Sequence, residues 1–220
     1  MLGWLRWSGG RSVVLEKTQL LGLPVMALYL PERLRSRERK IGKALARLRC
    51  QRVSRLLAPP EFEYWPLCTR AGLCPVDTRA LCCALAPVWV DTALRAKGIR
   101  PEQAVLRLCG TRENPEMERV AWSLCPLVRN LIIDAPGKGE LAARLRREFG
   151  MPVLAAQTAR ADLKLHFAPG PVLEGAEYGL RGCLLPRDCE ILPLLSALWE
   201  SGRIKTEEIT LQIHDIVDFS

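Results

Sequence analysis

Between residues 104 and 169, short apolar runs alternate with segments of helical pattern, and this alternation constrains the fold more than any other feature of the sequence. Asn114, followed by proline, is typical of a helix start, and Gly150 is typical of a helix end. The runs that favour strands are 104–110, 129–135, 151–156 and 161–169. Strands that alternate with helices at this spacing predict a mostly parallel sheet with helices on both faces.

The residues before this region continue the pattern. The apolar runs 22–31 and 52–60 each predict a strand, and an amphipathic helix that begins near Pro31 joins them. The apolar stripe of that helix is formed by Leu34, Ile41, Leu45 and Leu48. The proline-punctuated segment 59–75 carries several aromatic residues, and we expect it to form a cap or lid.

The carboxyl-terminal residues break the alternation, with a helix capped by Asp188 and Gly202 and a final strand that begins near Glu207. We therefore expect a Rossmann-like α/β domain over 1–170, with a flavodoxin-like or related strand order. A small α+β appendage over 171–220 would pack on it.

Charge is distributed unevenly. The net charge is +8, and the segment 31–55 holds ten basic and two acidic residues, so the rest of the chain is balanced. No uncharged stretch is long enough to span a bilayer, and the amino terminus lacks the pattern of a secretory signal. We expect a cytoplasmic protein that does not enter membranes.

The nine cysteines include no C-x-x-C pair, and several lie inside apolar runs, as in the stretch 80–90. This pattern favours reduced, buried thiols over a disulfide framework. Only His166 and His214 could add imidazole ligands, so no metal site is expected.

Two turns lie where a parallel sheet places its ligands, at the carboxyl ends of strands. The turns 109–114 and 134–139 each lead into a helix N-terminus, which attracts anions. We expect a small ligand that bears phosphate or carboxylate to bind there, although backbone geometry alone also explains glycines and capping residues in such turns. The candidate residues are Gly110, Thr111, Arg112, Asn114, Asp134, Gly137, Lys138 and Gly139.

Neither turn is a standard phosphate loop. Lys138 is followed by glycine and glutamate where the P-loop needs serine or threonine. The dinucleotide fingerprint is incomplete, because Ala142 stands at the third glycine position and the first predicted strand ends in Leu30 and Pro31. The cofactor, if any, is unknown from the sequence.

The run "LIIDAPG", residues 131–137, resembles the strand-Asp-x-Pro-Gly stretch of the MinD/Mrp class of ATPases. The resemblance covers seven residues. The nucleotide-binding loop that those proteins carry near their amino terminus has no counterpart here, so no function is transferred.

A catalytic reading would pair Cys109 with His166, both near strand ends. The alternative is that Cys109 is a core thiol and that His166 faces solvent with Lys164. The sequence contains no other nucleophile motif such as G-x-S-x-G, and whether the protein is an enzyme stays undecided.

The basic helix is the second functional candidate. An ordinary solvated face would explain its charges, but so many basic residues with so few acids also suit nucleic acid or an acidic protein partner. The residues concerned are Arg35, Arg39, Lys40, Lys43 and Arg47. The two hypotheses are thus a small-anion-binding protein and a non-enzymatic interaction protein.

Overall fold

The computed structural model describes residues 1–32, 37–137, 139–154 and 160–214, with the backbone alone for Arg37. The predictions for Leu34, Arg35, Lys138 and the end of the strand 151–156 fall outside the described residues. By their contacts the residues form two compact units. Unit 1 comprises Met1–Thr78 and Gly179–Ile209, and unit 2 comprises Arg79–Tyr178 and Thr210–Ser220.

The strands are β1 (Leu2–Ser8), β2 (Val14–Leu20), β3 (Leu23–Pro31), β4 (Arg55–Leu57), β5 (Cys74–Pro75), β6 (Val105–Gly110), β7 (Asn130–Asp134), β8 (Val153–Leu154), β9 (Leu163–Phe167), β10 (Pro171–Val172), β11 (Ala176–Leu180) and β12 (Ile209–Ile213). The helices are α1 (Arg37–Cys50), α2 (Trp65–Arg70), α3 (Arg79–Ala96), α4 (Pro115–Leu124), α5 (Glu140–Phe149) and α6 (Ile191–Glu200). Among the described residues, none of these helices has the length and apolar character that crossing a bilayer requires.

Unit 1 contains a five-stranded sheet with the order β2-β3-β1-β4-β5. Its central strand is β1, which pairs in parallel with β3 and β4, while β2 runs antiparallel to β3. Sequence reasoning missed β1 and β2. The first strand of the fold therefore does not end at Pro31 but at Ser8, and two glycines follow it.

The core of unit 1 lies between this sheet and α1. The predicted apolar stripe is confirmed at Ile41, Leu45 and Leu48, which are fully buried in one cluster with strand residues such as Leu5 and Leu56. Burial of this kind contributes about 1.5–3 kcal/mol for each large aliphatic side chain.

The segment 59–75 contains α2 and β5. Its Phe62 and Cys68 side chains are buried in the core of unit 1. The Phe62 ring also packs against Trp7 and Tyr64, with ring centroids 6.1 and 5.8 Å away. The side chains of Tyr64, Trp65 and Leu67 are partly buried against the same core, and a role of the segment as a cap or lid stays a prediction.

Unit 2 contains a second five-stranded sheet, with the order β10-β9-β6-β7-β8. The pairs β9–β6, β6–β7 and β7–β8 are parallel, and β10 runs antiparallel to β9. Apolar side chains alternate into its core, with Leu106, Leu108 and Leu165 fully buried. The predicted strands and helices over 104–150 are confirmed, including Asn114 as the N-cap and Gly150 as the C-cap.

The prediction of a mixed α/β fold with mostly parallel pairing is confirmed, but the strands form two such sheets rather than one. Their strand orders do not establish a Rossmann or flavodoxin-like topology. The two units defined by contacts do not coincide with the predicted division into 1–170 and 171–220. That division into folding domains stays a prediction.

The carboxyl-terminal elements are largely as expected. The helix forms as α6, and β11 and β12 make a separate two-stranded sheet. The capping role of Asp188 was wrong, because Glu190 is the N-cap of α6 and Asp188 instead forms an ion pair with Arg6.

Candidate functional site

The two predicted turns lie side by side at the carboxyl edge of the second sheet. They follow β6 and β7, which are parallel neighbours with Cys109 opposite Asp134. The turns are also joined directly, because the Glu113 N–H donates to the Pro136 carbonyl at 3.2 Å. A ligand that contacts one turn is therefore within reach of the other.

Asn114 uses its polar atoms inside the protein. Its Oδ1 accepts the Met117 N–H and its Nδ2 donates to the Pro169 carbonyl, both at 2.8 Å. A Cβ on Gly110 would lie 2.8 Å from Cε of Met117, the end of a flexible side chain, and 3.4 Å from the Arg112 carbonyl oxygen, so the turn passes close to this glycine. Of the predicted residues on this turn, Thr111 and Arg112 are exposed to solvent.

The N-terminus of α5 already holds a carboxylate of the protein. Glu113 accepts the Leu141 N–H at 3.5 Å, and its Cδ lies 2.5 Å from where a Cβ on Gly137 would be. Gly139 is the N-cap, with a left-handed φ of 69° and no side chain to satisfy the helix. Glu113 thus supplies negative charge where the helix dipole favours it.

A depression of about 290 Å³ opens beside this helix end. It is lined chiefly by Glu113, Ile133, Gly137, Gly139, Ala142 and Leu154. Its walls therefore combine one carboxylate, glycine backbone and apolar side chains. Lys138 stands between the two lining glycines but is outside the described residues.

The carboxylate of Asp134 is neutralised within the sheet. Nη1 of Arg107 lies 3.1 Å from Oδ2 of Asp134, and the Arg107 side chain is only 19 % exposed. Asp134 thereby compensates a largely buried guanidinium, whose desolvation would otherwise be costly. The ion pair with Arg107 is by itself a sufficient reason for an aspartate at the end of β7, and no ligand is needed to explain it.

Cys109 lies between His166 and Asp134 in one row across three strands. The parallel register pairs Cys109 with His166 of β9 on one side and with Asp134 of β7 on the other. Register partners of parallel strands point to the same face of the sheet. The Cys109 side chain is half-buried on the face of Arg107, opposite the face of the buried Leu108. The prediction of Cys109 as a core thiol was therefore wrong. His166 lies on the face of Lys164, as predicted.

The order of this row does not suit an activated thiolate. Burial raises the pKa of the Cys109 thiol, Asp134 raises it further, and the cations Arg107 and Lys164 only oppose that shift. In a nucleophilic triad the histidine stands between the nucleophile and the acid, whereas here the cysteine does. The row is therefore a polar strip with a protonated thiol at its centre.

All nine cysteines are free thiols, and Cys68, Cys82, Cys83, Cys125 and Cys189 are buried. Within the described ranges, no group of three or more His, Cys, Asp or Glu side chains is arranged to hold a metal ion.

The basic face of α1 is formed by Arg39, Lys40, Lys43 and Arg47. All four side chains are exposed, and no ion pair joins any of them to a described residue. At 100° per residue they fall within an arc of about 100°, away from the buried stripe of the same helix.

Sequence reasoning missed Glu113 as part of the β6–β7 edge. The available signal was that α5 begins at Gly139, which has no side chain to cap the helix, while the neighbouring turn carries the acid Glu113. No protein-family model matches this chain, and no curated protein matches it.

Proposed function

We propose that this protein binds a polyanion, the phosphate backbone of duplex nucleic acid, through the basic face of α1. The observation that carries the proposal is the set of four exposed cations without an ionic partner in the described residues. The segment 31–55 also holds the entire net charge of +8. Phosphate contacts need such a field and no further motif.

The dimensions of the face suit a phosphate strand. Arg39 and Arg47 are eight residues apart, which is about 12 Å along the helix axis. A face of that length can contact several phosphates of a duplex at once.

Duplex is favoured over single strands because no aromatic side chain interleaves the basic residues of α1. Binding of single strands usually depends on bases stacked on aromatic rings. Contacts to phosphate carry no sequence information, so a face that binds through phosphates alone is expected to bind without sequence preference.

A salt titration tests the proposal. Fluorescence anisotropy with a labelled duplex of scrambled sequence is expected to give a slope of log K against log salt of about −3.6, from four phosphate contacts at 0.9 each. The double variant Arg39→Gln, Lys43→Gln should lower the magnitude of that slope by about 1.8. The matched control, Lys17→Gln with Arg146→Gln, removes the same charge from exposed positions elsewhere and should leave it nearly unchanged.

Two outcomes would contradict the proposal. One is duplex binding that is equally weakened by the control pair, which would indicate net charge rather than this face. The other is tight binding of polyglutamate with none of duplex, which would assign the face to an acidic protein.

A small anionic ligand at the β6–β7 edge is the second candidate. The observation that favours it is that the α5 N-terminus already accepts a carboxylate, that of Glu113. A ligand phosphate or carboxylate would displace Glu113 and gain Thr111, Arg112 and Lys138 as donors, the arrangement expected of a Rossmann-like site. Thermal shifts with sugar phosphates and nucleotides test it: stabilisation that is lost in Lys138→Ala supports the site, and no shift with any compound excludes it.

A further inference from the structure

A cavity of about 470 Å³ opens at the carboxyl edge of the first sheet. It is lined by Ser8, Gly9, Gly10, Arg11 and Glu32. Ser8 ends the central strand β1, and Glu32 directly follows β3. The two strand ends are tied together, because the Glu32 N–H donates to the Ser8 carbonyl at 3.1 Å. The volume is within the range of small-molecule sites, about 300–1,000 Å³.

The cavity lies at the carboxyl ends of the neighbouring parallel strands β1 and β3. The chain leaves β1 towards β2, which lies beyond β3 in the sheet. It leaves β3 through α1 towards β4, which lies on the opposite side of β1. The space outside the carboxyl ends of strands is where ligands usually lie in α/β sheets.

The glycine pair is not required by the protein itself. Neither Gly9 nor Gly10 has a left-handed φ. A Cβ on Gly9 would meet nothing within 4 Å, and one on Gly10 would meet only Oγ of Ser8 at an ordinary 3.5 Å. By contrast, a Cβ on Gly3 would lie 2.6 Å from Cδ2 of Leu56. Glycine without a conformational or packing reason fits a backbone that a ligand approaches closely.

The cavity has one basic and one acidic side chain, those of Arg11 and Glu32. Arg11 can donate to an anion in two parallel bonds, and Glu32 can accept from hydroxyl groups. Both side chains are exposed, and no ion pair joins them to each other or to another described residue. A ligand that has a phosphate at one end and hydroxyls at the other would use both.

We propose that this cavity binds the ribose phosphate of a mononucleotide. Arg11, the Ser8 hydroxyl and the N–H groups of Gly9 and Gly10 bind the phosphate, and Glu32 accepts hydrogen bonds from the ribose hydroxyls. An acid near the end of the neighbouring strand is the partner that ribose hydroxyls find in dinucleotide folds. None of the lining residues belongs to the basic face of α1, so the proposal does not rest on that face.

Isothermal titration of the full chain tests the proposal with four probes: AMP, ribose 5-phosphate, adenosine and inorganic phosphate. AMP and ribose 5-phosphate should bind, and adenosine and phosphate should bind at least tenfold more weakly. Glu32→Gln should weaken ribose 5-phosphate without changing the response to phosphate, and Arg11→Gln should weaken both phosphorylated probes.

The decisive variant is Gly9→Ala with Gly10→Ala. It should melt at or above the wild-type temperature, because both positions are open and ordinary in φ, and yet lose AMP binding at least tenfold. Gly42→Ala is the matched control, since its Cβ would also meet nothing within 4 Å and it lies outside the cavity. It should bind AMP as the wild type does.

Three results would overturn the proposal: no binding of AMP or ribose 5-phosphate, unchanged AMP binding by the glycine double variant, or equal affinity for phosphate and ribose 5-phosphate. If the glycine variant fails to fold, the Glu32→Gln comparison of ribose 5-phosphate with phosphate still decides the question. Unchanged AMP binding by Lys43→Gln would confirm independence from the basic face.

Discussion

Replacing Glu113 by alanine is expected to destabilise the protein by about 0.8–1.5 kcal/mol. The bond from the Leu141 N–H is long, at 3.5 Å, so its loss belongs at the low end of the range for helix caps, about 0.5 kcal/mol. The loss of a negative charge at the N-terminus of α5 adds about 0.3–1 kcal/mol. Glu113→Gln keeps an acceptor oxygen and removes the charge, so its stability should fall only by the charge contribution of about 0.3–1 kcal/mol.

Urea unfolding followed by circular dichroism measures these differences at fixed m-value. Glu102→Ala is the matched control, because Glu102 is an exposed acid of the same unit without an ion pair to a described residue. It should change stability by less than about 0.5 kcal/mol.

The variant Glu113→Ala also tests whether the N-terminus of α5 is an anion site. With Glu113 replaced by alanine, phosphate at fixed ionic strength should raise the melting temperature more than it does for the wild type, since the vacated N–H groups can bind it. Wild-type stability of Glu113→Ala in urea would refute the capping role. Equal phosphate effects on both proteins would refute the anion site.

Two further predictions concern unit 1. Gly3→Ala should lower the free energy of unfolding by about 1–3 kcal/mol, because the added methyl group would overpack against Leu56. Gly42→Ala should stabilise α1 by about 0.5–1 kcal/mol, because its Cβ would meet nothing within 4 Å. Equal urea midpoints for the two variants would contradict the packing of β1. Burial raises the pKa of Cys68 and of Cys189 from an unfolded value near 9 to about 12. Their neutral thiols therefore stabilise the fold below pH 9, and the free energy of unfolding should fall as pH rises from 9 to 12, by about 1.4 kcal/mol per pH unit for each thiol. Urea midpoints between pH 8 and 11 should fall less steeply in Cys68→Ala, and an identical slope would be the contrary result.

Local patterns predicted the elements of unit 2 well. Its strands and helices are bounded by residues whose conformational preferences act over a few positions, such as Asn114 at a helix start and Gly150 at a helix end. The apolar stripe of α1 was readable for the same reason, since a helix brings residues three and four apart onto one face.

The omission of β1 and the expectation of one sheet have a common cause. The partners of β1 are β3 and β4, whose first residues in register with Leu2 are Val25 and Arg55. No local pattern states which distant strands will pair, so the run 2–8 gave no signal of its central place. The glycine at position 3 makes sense only once Leu56 lies against it.

The sequence by itself determined the class of the fold, the position of the two turns at strand ends and the concentration of charge on one helix, because these depend on periodicity and on neighbours along the chain. The tertiary structure decided which polar groups are already satisfied. It placed Glu113 at the N-terminus of α5, paired Asp134 with Arg107, and brought Glu32 beside the glycines that follow β1. These contacts join residues far apart in the chain, and they exist only after the strands have taken their order.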